Sequence, residues 1–299
     1  MNKIDQQQTR LGYFYVALAA ILFAISGTSA KFLFNDGITA FQLIQMRTTL
    51  AFTGLLIWLC LRYPALLKIP LKNLPYFIGL GVFGIGSAQF FYLLAISKIN
   101  VAAAILLHYT GPVFVALYVV FVQRRKLRFN IMLAISGTLM GCFLVVGAYD
   151  LQLFALNRVG IIAGILAAVS FAVYSILSEW GMRKYTSWTV LLYGMLFAAL
   201  MWNSLHPALE AFLHRYSPFQ WGLILFIGVF GTIFPFGLYF EGVKRIKPTH
   251  ASITATLEPI SAGVIAAVFL GEVMGTLQII GGLIVIVSII ILQFQTAGN

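Results

Sequence analysis

The chain has 299 residues, of which 61% are hydrophobic and only 9% are charged, and its formal net charge is +11. A soluble domain carries about 25% charged residues, so this composition leaves no room for one and predicts a protein made mostly of membrane spans. The basic residues fall between the apolar runs, where they set orientation, so we predict a lipid bilayer as partner and no nucleic acid.

Long apolar runs recur along the whole chain, and about 20 apolar residues are enough for a helix to cross a bilayer. Turn and charge signals such as Asn35-Asp36-Gly37, Arg124-Arg125-Lys126 and Lys247-Pro248 separate these runs. The pattern predicts an all-α membrane protein with ten transmembrane helices. The predicted spans cover residues 12–33, 40–61, 74–96, 101–122, 130–148, 159–179, 187–205, 219–240, 249–270 and 276–294.

The sequence contains an internal repeat. The stretch Gly81-Val82-Phe83-Gly84 recurs as Gly228-Val229-Phe230-Gly231, and other residues match at the same offset. We therefore divide the chain into two repeats, residues 1–150 and 151–299, with five spans each. Because five is an odd number, the second repeat must be inverted in the membrane, an arrangement that is typical of secondary transporters.

The distribution of basic residues predicts the orientation. If the N-terminus is cytoplasmic, 14 of the 19 Lys and Arg residues fall on the cytoplasmic side and 4 on the outer side, with Arg47 inside a span. Basic residues are disfavoured in translocated loops, so this bias predicts that both termini are cytoplasmic.

Several short motifs match a known family when they are taken together. They are Arg47-Thr48-Thr49-Leu50-Ala51, the stretch Ala95–Ala102, Leu257-Glu258-Pro259, Gly271-Glu272 and Gly281-Gly282. As a set they resemble the EamA family of the drug/metabolite transporter superfamily. The resemblance implies a multi-pass carrier of the bacterial inner membrane that moves amino acids or related small metabolites, with export as the predicted direction.

The two halves depart from one another at these motifs. The first half has Thr110-Gly111-Pro112 where the second has Leu257-Glu258-Pro259, and Gln123-Arg124-Arg125 where the second has Gly271-Glu272. A carrier needs similar gates on two sides but only one substrate site, so this inequality is expected.

Glu258 is an acidic residue near the middle of the predicted ninth span. A charged group at that depth costs roughly 2.5–3.5 kcal/mol, so it usually faces a cavity or a partner. The adjacent Pro259 removes a backbone donor and is expected to free the carbonyl of Ala255. We predict a role for Glu258 in substrate binding or proton coupling, with a protonated structural acid as the alternative.

His108 and Tyr109 lie in the predicted fourth span, and the repeat places His108 at nearly the depth of Glu258. A histidine can exchange protons near neutral pH, and its ring can bond a carboxylate. We therefore assign both residues to the predicted binding or proton-coupling site. A histidine satisfied by a backbone or hydroxyl partner is the alternative.

Arg47 is the basic residue inside the second span. Its planar guanidinium suits a substrate carboxylate, and we include it in the predicted site for that reason. We favour a structural role, in which the side chain pairs with helix-end carbonyls or extends to the membrane interface.

Aromatic residues provide the remaining candidates. Tyr92 and Tyr239 are paired by the repeat and included in the predicted site, although interfacial anchoring near the ends of their spans is the interpretation that we favour. Phe171, Tyr174 and Trp180 on the sixth span are candidates for an aromatic wall.

Glycine and proline residues predict where the helices bend. Such residues loosen the third, fourth, eighth and ninth spans, although tight static packing is equally compatible with glycine. The predicted hinge residues are Gly84, Gly86, Pro112, Gly231, Pro235 and Pro259.

We predict a secondary transporter that works by alternating access between its two halves. The sequence has no Walker motif, which excludes ATP as the direct energy source, and its histidines lack metal-ligand spacing. We therefore predict a small-molecule substrate, no cofactor and no metal, with proton coupling left open. A membrane-embedded enzyme and a channel or uniport pore are the alternatives; an enzyme would need a catalytic cluster around Glu258 and His108.

Overall fold

The structure, a computed structural model, describes residues 3–99, 101–145, 149, 158–205, 207–270 and 275–297. The Gly271-Glu272 motif, the predicted boundary between residues 150 and 151, and His206 lie outside the described residues. Within the described ranges all regular structure is helical and no strand occurs, so the prediction of an all-α protein is confirmed.

In the described part of the chain, seven α-helices precede the predicted boundary between the halves, and two short turns of 3₁₀-helix, Pro64–Leu67 and Leu71–Asn73, connect the second to the third. The helices are α1 (Lys3–Asn35), α2 (Ala40–Arg62), α3 (Leu74–Gly79), α4 (Ser87–Lys98), α5 (Val101–His108), α6 (Gly111–Leu117) and α7 (Phe129–Val145).

Seven more helices follow the boundary. They are α8 (Arg158–Met182), α9 (Ser187–Leu205), α10 (Glu210–Leu213), α11 (Pro218–Gly228), α12 (Phe234–Thr254), α13 (Leu257–Leu270) and α14 (Thr276–Ala297).

Seven helical runs in the described part of the chain are long and apolar enough to cross a membrane. They are Gln6–Asn35, Ala40–Arg62, Leu71–Lys98, Ala104–Val122, Arg158–Met182, Ser187–Leu205 and Pro218–Thr254. Two further apolar helices, Phe129–Val145 and Thr276–Ile291, are shorter. The longest run is interrupted at Lys247, whose φ of 70° and ψ of 159° are not helical.

The repeated Gly-Val-Phe-Gly stretch produces the same irregularity in both halves. The helix widens into π-helical turns at Leu80–Gly86 and at Val229–Ile233. The hydroxyl groups of Ser87 and Thr232 each donate a hydrogen bond to the carbonyl five residues back. Such wide turns bend helices, and they lie where the third and eighth spans are predicted to flex.

The fourth and ninth predicted spans are broken at matching places. A two-residue gap separates α5 from α6, and another separates α12 from α13. Pro112 and Pro259 each lie in the first turn of the helix that follows, where a missing N–H costs no helical hydrogen bond.

The break beside Glu258 corrects one prediction. The carbonyl of Ala255 is not free, because it accepts the backbone N–H of Glu258 at 3.0 Å. The chain therefore closes a short turn at this point, and the Glu258 side chain at the start of α13, rather than a free carbonyl, is the polar group next to the break.

Helices from the two halves pack against one another throughout the molecule. The helix α1 packs along α12, α4 packs along α8, and α7 packs along α14. Glycine permits the closest of these contacts: a Cβ atom on Gly141 would lie 2.7 Å from the carbonyl oxygen of Gly281. The centre of the protein is therefore a surface shared by the two halves.

Candidate functional site

Two tyrosine hydroxyl groups bond the carboxylate of Glu258. Tyr109, in the break between α5 and α6, donates to Oε2 at 2.5 Å, and Tyr92 of α4 donates to Oε1 at 3.2 Å. The Glu258 side chain is buried, with 6% of its surface exposed. Hydrogen bonds to a charged group contribute about 1.5–3 kcal/mol, so this arrangement can hold a carboxylate at membrane depth.

His108 lies beside the same cluster without bonding the acid. Its ring centroid lies 5.0 Å from that of Tyr92, 5.3 Å from that of Tyr109 and 5.2 Å from that of Phe171. No hydrogen bond joins His108 to Glu258 among the described contacts, and the buried Nδ1 atom has no partner there. His108 and Glu258, which the repeat placed at nearly equal depth, therefore lie in one site. Aromatic side chains contact His108 there, and among the described residues it makes no hydrogen bond to the acid.

Arg47 is held by the wide turn of the eighth predicted span. Its Nε donates to the Thr232 hydroxyl at 2.6 Å, and its Nη2 donates to the Gly231 carbonyl at 2.8 Å. In a regular α-helix that carbonyl would accept the N–H of residue 235, but Pro235 has none. These bonds fit the structural role that we favour for Arg47. The prediction that its side chain extends to the membrane interface is wrong, because only 6% of the residue's surface is exposed.

The interpretation of Tyr92 and Tyr239 as interfacial anchors is also wrong. Tyr239 is fully buried, and its hydroxyl shares a 2.8 Å hydrogen bond with that of Ser175, while Tyr92 bonds Glu258. The physical reason is that α4 continues beyond Tyr92, and α12 continues beyond Tyr239 to the break at Lys247. Both tyrosines therefore lie more than one turn inside their helices.

These side chains surround one small cavity, which we call the central cavity. It has a volume of about 50 Å³ and is lined by α1, α2, α4, α5, α8, α12, α13 and the breaks before α6 and α13. Its polar lining includes Ser26, Arg47, Gln89, Tyr92, His108, Tyr109 and Glu258. Phe171 and Tyr174 also line it, so two members of the predicted aromatic wall are present, whereas Trp180 lines a different cavity.

Three buried polar atoms in the central cavity have no hydrogen-bond partner among the residues that the structure describes. They are Ser26 Oγ, Gln89 Oε1 and His108 Nδ1. An unsatisfied buried polar group costs about 1–3 kcal/mol, and native proteins keep few of them. These three atoms are therefore available to bond a polar solute in the central cavity.

Sequence reasoning missed Ser26 and Gln89. Both are neutral residues, so neither carries the cost that marks a charged group in an apolar run. A weak signal was present, because Gln89 lies three residues before Tyr92 and therefore on the same helix face. Ser26 similarly shares a face with Phe23, which also lines the cavity.

The central cavity combines groups that suit a small polar or zwitterionic solute. A carboxylate can meet an ammonium group, a guanidinium can meet a carboxylate, and neutral groups can orient the remainder. Pockets for small molecules usually have about 300–1,000 Å³, so lining helices must separate before a metabolite can enter. Within the described ranges, no three His, Cys, Asp or Glu side chains come together as a metal site would require.

The chain matches a family of membrane proteins over most of its length. The sequence model of the EamA-like transporter family matches residues 10–147 and 158–294. An uncharacterized transporter of Archaeoglobus fulgidus is 31% identical over 94% of this chain and 96% of its own length. The uncharacterized inner membrane transporter YicL of Salmonella typhimurium is 25% identical over 96% of this chain and 97% of its own length.

Two further comparisons add a named activity and a solved fold. The threonine/homoserine exporter RhtA of Escherichia coli is 26% identical over 66% of this chain and 63% of its own length. One crystal structure aligns with 97% of this chain and 98% of its own chain, with a TM-score of 0.77 and 19% sequence identity. At that identity the alignment shows a common fold and nothing about the substrate.

Proposed function

This chain belongs to the EamA-like transporter family, and from that premise we propose a secondary transporter of amino acids or related small polar metabolites. It works by alternating access in the bacterial inner membrane, and export is its direction. The observation that carries the proposal is the central cavity, where the Glu258 carboxylate and three unpartnered polar atoms meet.

The proposed architecture has ten spans in two inverted repeats, with both termini in the cytoplasm. Support for ten spans comes from the seven long runs, the division of the longest at Lys247, and the two shorter apolar helices. Support for repeats at residues 1–150 and 151–299 comes from the two matched segments of the family and from the wide turns that both halves share. The distribution of basic residues supports the orientation.

Two larger cavities support alternating access, because they lie at opposite ends of the helices α5 and α6. One of about 380 Å³ is lined by Tyr118, just beyond α6, and by Arg183 and Lys247. The other, of about 530 Å³, is lined by Lys31 and Lys98 beside the start of α5. The central cavity lies between them, at the break that contains Tyr109, and we propose that it opens to one of them at a time.

The substrate class follows from the charges and hydroxyl groups of the central cavity. Glu258 is placed to bond an ammonium group, and the guanidinium of Arg47 lines the same space for a carboxylate. Ser26, Gln89 and His108 supply hydrogen-bonding atoms for a polar side chain. The likeness to a threonine/homoserine exporter supports small polar amino acids as the first substrates to test.

Counterflow in proteoliposomes tests the proposal. Vesicles that contain the protein and an unlabelled amino acid should accumulate the labelled form transiently, and the rate should saturate with concentration. Flux that rises without saturation would indicate a pore instead. Failure of every amino acid and small polar metabolite to drive counterflow would overturn the proposed function.

Proton coupling is tested in the same vesicles by imposing a pH gradient. Glu258 and His108 are the candidate proton carriers, and a histidine can change charge between pH 5 and 8. If His108 carries the proton, His108→Ala should flatten the pH dependence of transport, whereas His214→Ala outside the spans should not. An unchanged pH profile in His108→Ala would remove that residue from the coupling step.

A further inference from the structure

The cavity of about 380 Å³ at the ends of α6 and α8 collects basic side chains from three distant parts of the sequence. Its lining includes Arg125 after α6, Arg183 after α8 and Lys247 at the break within α12, with Glu179 as the acid. We call this cavity the basic vestibule. It shares no lining residue with the central cavity.

The basic vestibule keeps an excess of positive charge. Glu179 lies 3.3 Å from Arg183, but the Arg183 side chain is 67% exposed and keeps donors free for another acceptor. Among the residues that the structure describes, no ion pair involves Arg125 or Lys247. Three cations therefore face one acid in a space large enough for a small anionic group.

Unusual backbone conformations lie at the same place. Arg124 has a φ of 51°, and Lys247 has a φ of 70° with a ψ of 159°, a region that residues other than glycine rarely adopt. The chain after α6 also turns back on itself, because the Arg125 N–H donates to the Val119 carbonyl at 3.1 Å. Strained residues cluster at ligand clamps, and here they carry or adjoin the cations of the vestibule.

Convergence on a cavity distinguishes these cations from ordinary orientation signals. Lys126 and Lys244 belong to the same two segments and are also exposed, but neither lines the basic vestibule. A bias of basic residues toward one membrane face explains their number. It does not explain why Arg125, Arg183 and Lys247 share one concave space.

We propose that the basic vestibule binds a phosphate-bearing anion, either the headgroup of an anionic phospholipid or a free phosphate compound. Guanidinium groups bond phosphate oxygens in pairs, and lysine adds a point charge. Trp180 lines the cavity, is 46% exposed and packs near Tyr118, as aromatic residues do at the level of lipid headgroups. Under the predicted orientation this face is cytoplasmic, where anionic headgroups are abundant.

A bound anion would connect the ends of α6 and α8 to the start of the ninth predicted span. These are the elements that carry Tyr109, Phe171 and Glu258 toward the central cavity. The anion therefore stabilises one spacing of the three elements and is expected to alter the rate of transport as well as the stability of the protein.

Thermal unfolding of the purified full-length protein in an uncharged detergent tests the proposal. Phosphatidylglycerol, phosphatidylcholine and inorganic phosphate are titrated at constant ionic strength. The double variant Arg125→Gln/Lys247→Gln is compared with Lys126→Gln/Lys244→Gln, which loses the same charge from the same segments. We expect phosphatidylglycerol, but not phosphatidylcholine, to raise the unfolding temperature of the wild type and of the control.

The Arg125→Gln/Lys247→Gln variant should bind the anion at least about tenfold more weakly than the wild type. The reason is that each of the two basic residues it lacks increases the affinity several-fold. Stabilisation by phosphatidylglycerol alone identifies a lipid headgroup, and stabilisation by inorganic phosphate as well identifies a free phosphate site. Equal responses of the two double variants, or no response of the wild type to either phosphate source, would overturn the proposal.

A second matched pair covers the case in which the double variant does not fold. Arg183→Gln removes a vestibule cation, and Lys184→Gln removes its neighbour, which does not line the vestibule. The same difference in anion affinity is expected. Counterflow by the wild type distinguishes the two proposals. Saturable transport without anion binding would count against the vestibule proposal alone, and anion binding without transport would count against the transport function alone.

Discussion

The breaks in the fourth and ninth predicted spans share a backbone shape but differ in chemistry. Each lies between two helices and leads into a proline, Pro112 in one and Pro259 in the other. The sequence repeat pairs Glu258 with Gly111, where a Cβ atom would lie only 2.6 Å from Phe171 Cδ1. Position 111 has no room for a side chain, so the two halves share the bend while only the second supplies the acid.

The two tyrosines that the repeat pairs also differ in their hydrogen-bond partners. Tyr239 shares its hydrogen bond with Ser175, whereas Tyr92 donates to Glu258. At the start of each half the repeat has an offset of 148 residues, one more than at the Gly-Val-Phe-Gly stretch, and this offset pairs Ser175 with Gly27. Glycine has no hydroxyl, and a Cβ atom on Gly27 would lie 3.6 Å from the Tyr92 hydroxyl oxygen. Ser175 therefore bonds the Tyr239 hydroxyl in the second half, whereas the glycine at the matching position of the first half offers Tyr92 no side-chain partner.

Removal of the charge at Glu258, for which the first half has no equivalent, should reduce transport more than any other change. Glu258→Gln keeps the shape but removes the charge that bonds an ammonium group, an interaction that contributes about 1.5–3 kcal/mol. We expect counterflow to fall about 100-fold while the protein stays in the membrane. Glu210→Gln, on α10, should transport normally, and full activity of Glu258→Gln would remove the residue from the site.

The paired tyrosines provide the next largest contrast. Tyr92→Phe removes a donor to a carboxylate and should lower transport about tenfold, whereas Tyr239→Phe removes a neutral hydrogen bond and should cost less than about threefold. Initial rates of counterflow measure both variants. If the two substitutions reduce transport equally, the two halves do not divide their roles as the hydrogen bonds indicate.

Gly27→Ser would make the first half resemble the second. The new hydroxyl would lie close to Tyr92 and compete with Glu258 for the Tyr92 hydrogen bond, since Ser175 bonds Tyr239 from the matching position. We expect transport to fall about three- to tenfold, because one neutral hydrogen bond contributes about 0.5–1.5 kcal/mol. Gly222→Ser, where a Cβ meets nothing within 4 Å, is the matched control. Wild-type transport by Gly27→Ser would contradict the competition.

Two buried glutamines differ in their hydrogen bonds, and measurements of protein stability can test this difference. Gln45 bonds Pro207 and Ala211 through its amide, each at 2.9 Å, whereas Gln89 Oε1 has no partner. Gln89→Leu should therefore raise the free energy of unfolding by about 1 kcal/mol while lowering transport, and Gln45→Leu should lower it by a similar amount or more. Thermal unfolding measures the sign, and destabilisation by Gln89→Leu would show that its oxygen is not an unpaired group.

The sequence alone predicted those parts of the site that depend on the internal repeat and on charged residues. The offset between the halves placed His108 and Glu258 at similar depth, and the structure brings both to one cavity. Pro112 and Pro259, two of the predicted hinge residues, each lie in the first turn of the helix after a break, where a missing N–H is tolerated; their role as hinges stays a prediction. The all-α fold followed from composition alone.

Other features depended on contacts that a single sequence does not display. The anchoring interpretation of Tyr239 failed because the predicted eighth span ended at residue 240, several residues before the break at Lys247. That of Tyr92 failed because its hydroxyl bonds the buried Glu258. The acceptors of Arg47 could not be foreseen, since they belong to a wide turn in a helix far along the chain. Tertiary packing, rather than local pattern, decides both outcomes.

The hydrogen bond between Arg47 and the Gly231 carbonyl couples Arg47 to Pro235, which lies far away in the sequence. Exchange of Pro235 for alanine would restore an amide that competes for this oxygen and would leave the guanidinium short of an acceptor in an apolar interior. Loss of the arginine alone would strand the carbonyl instead. Homologous chains should therefore keep or abandon this arginine and this proline together, and sequence design on the scaffold has to treat them as one inherited unit.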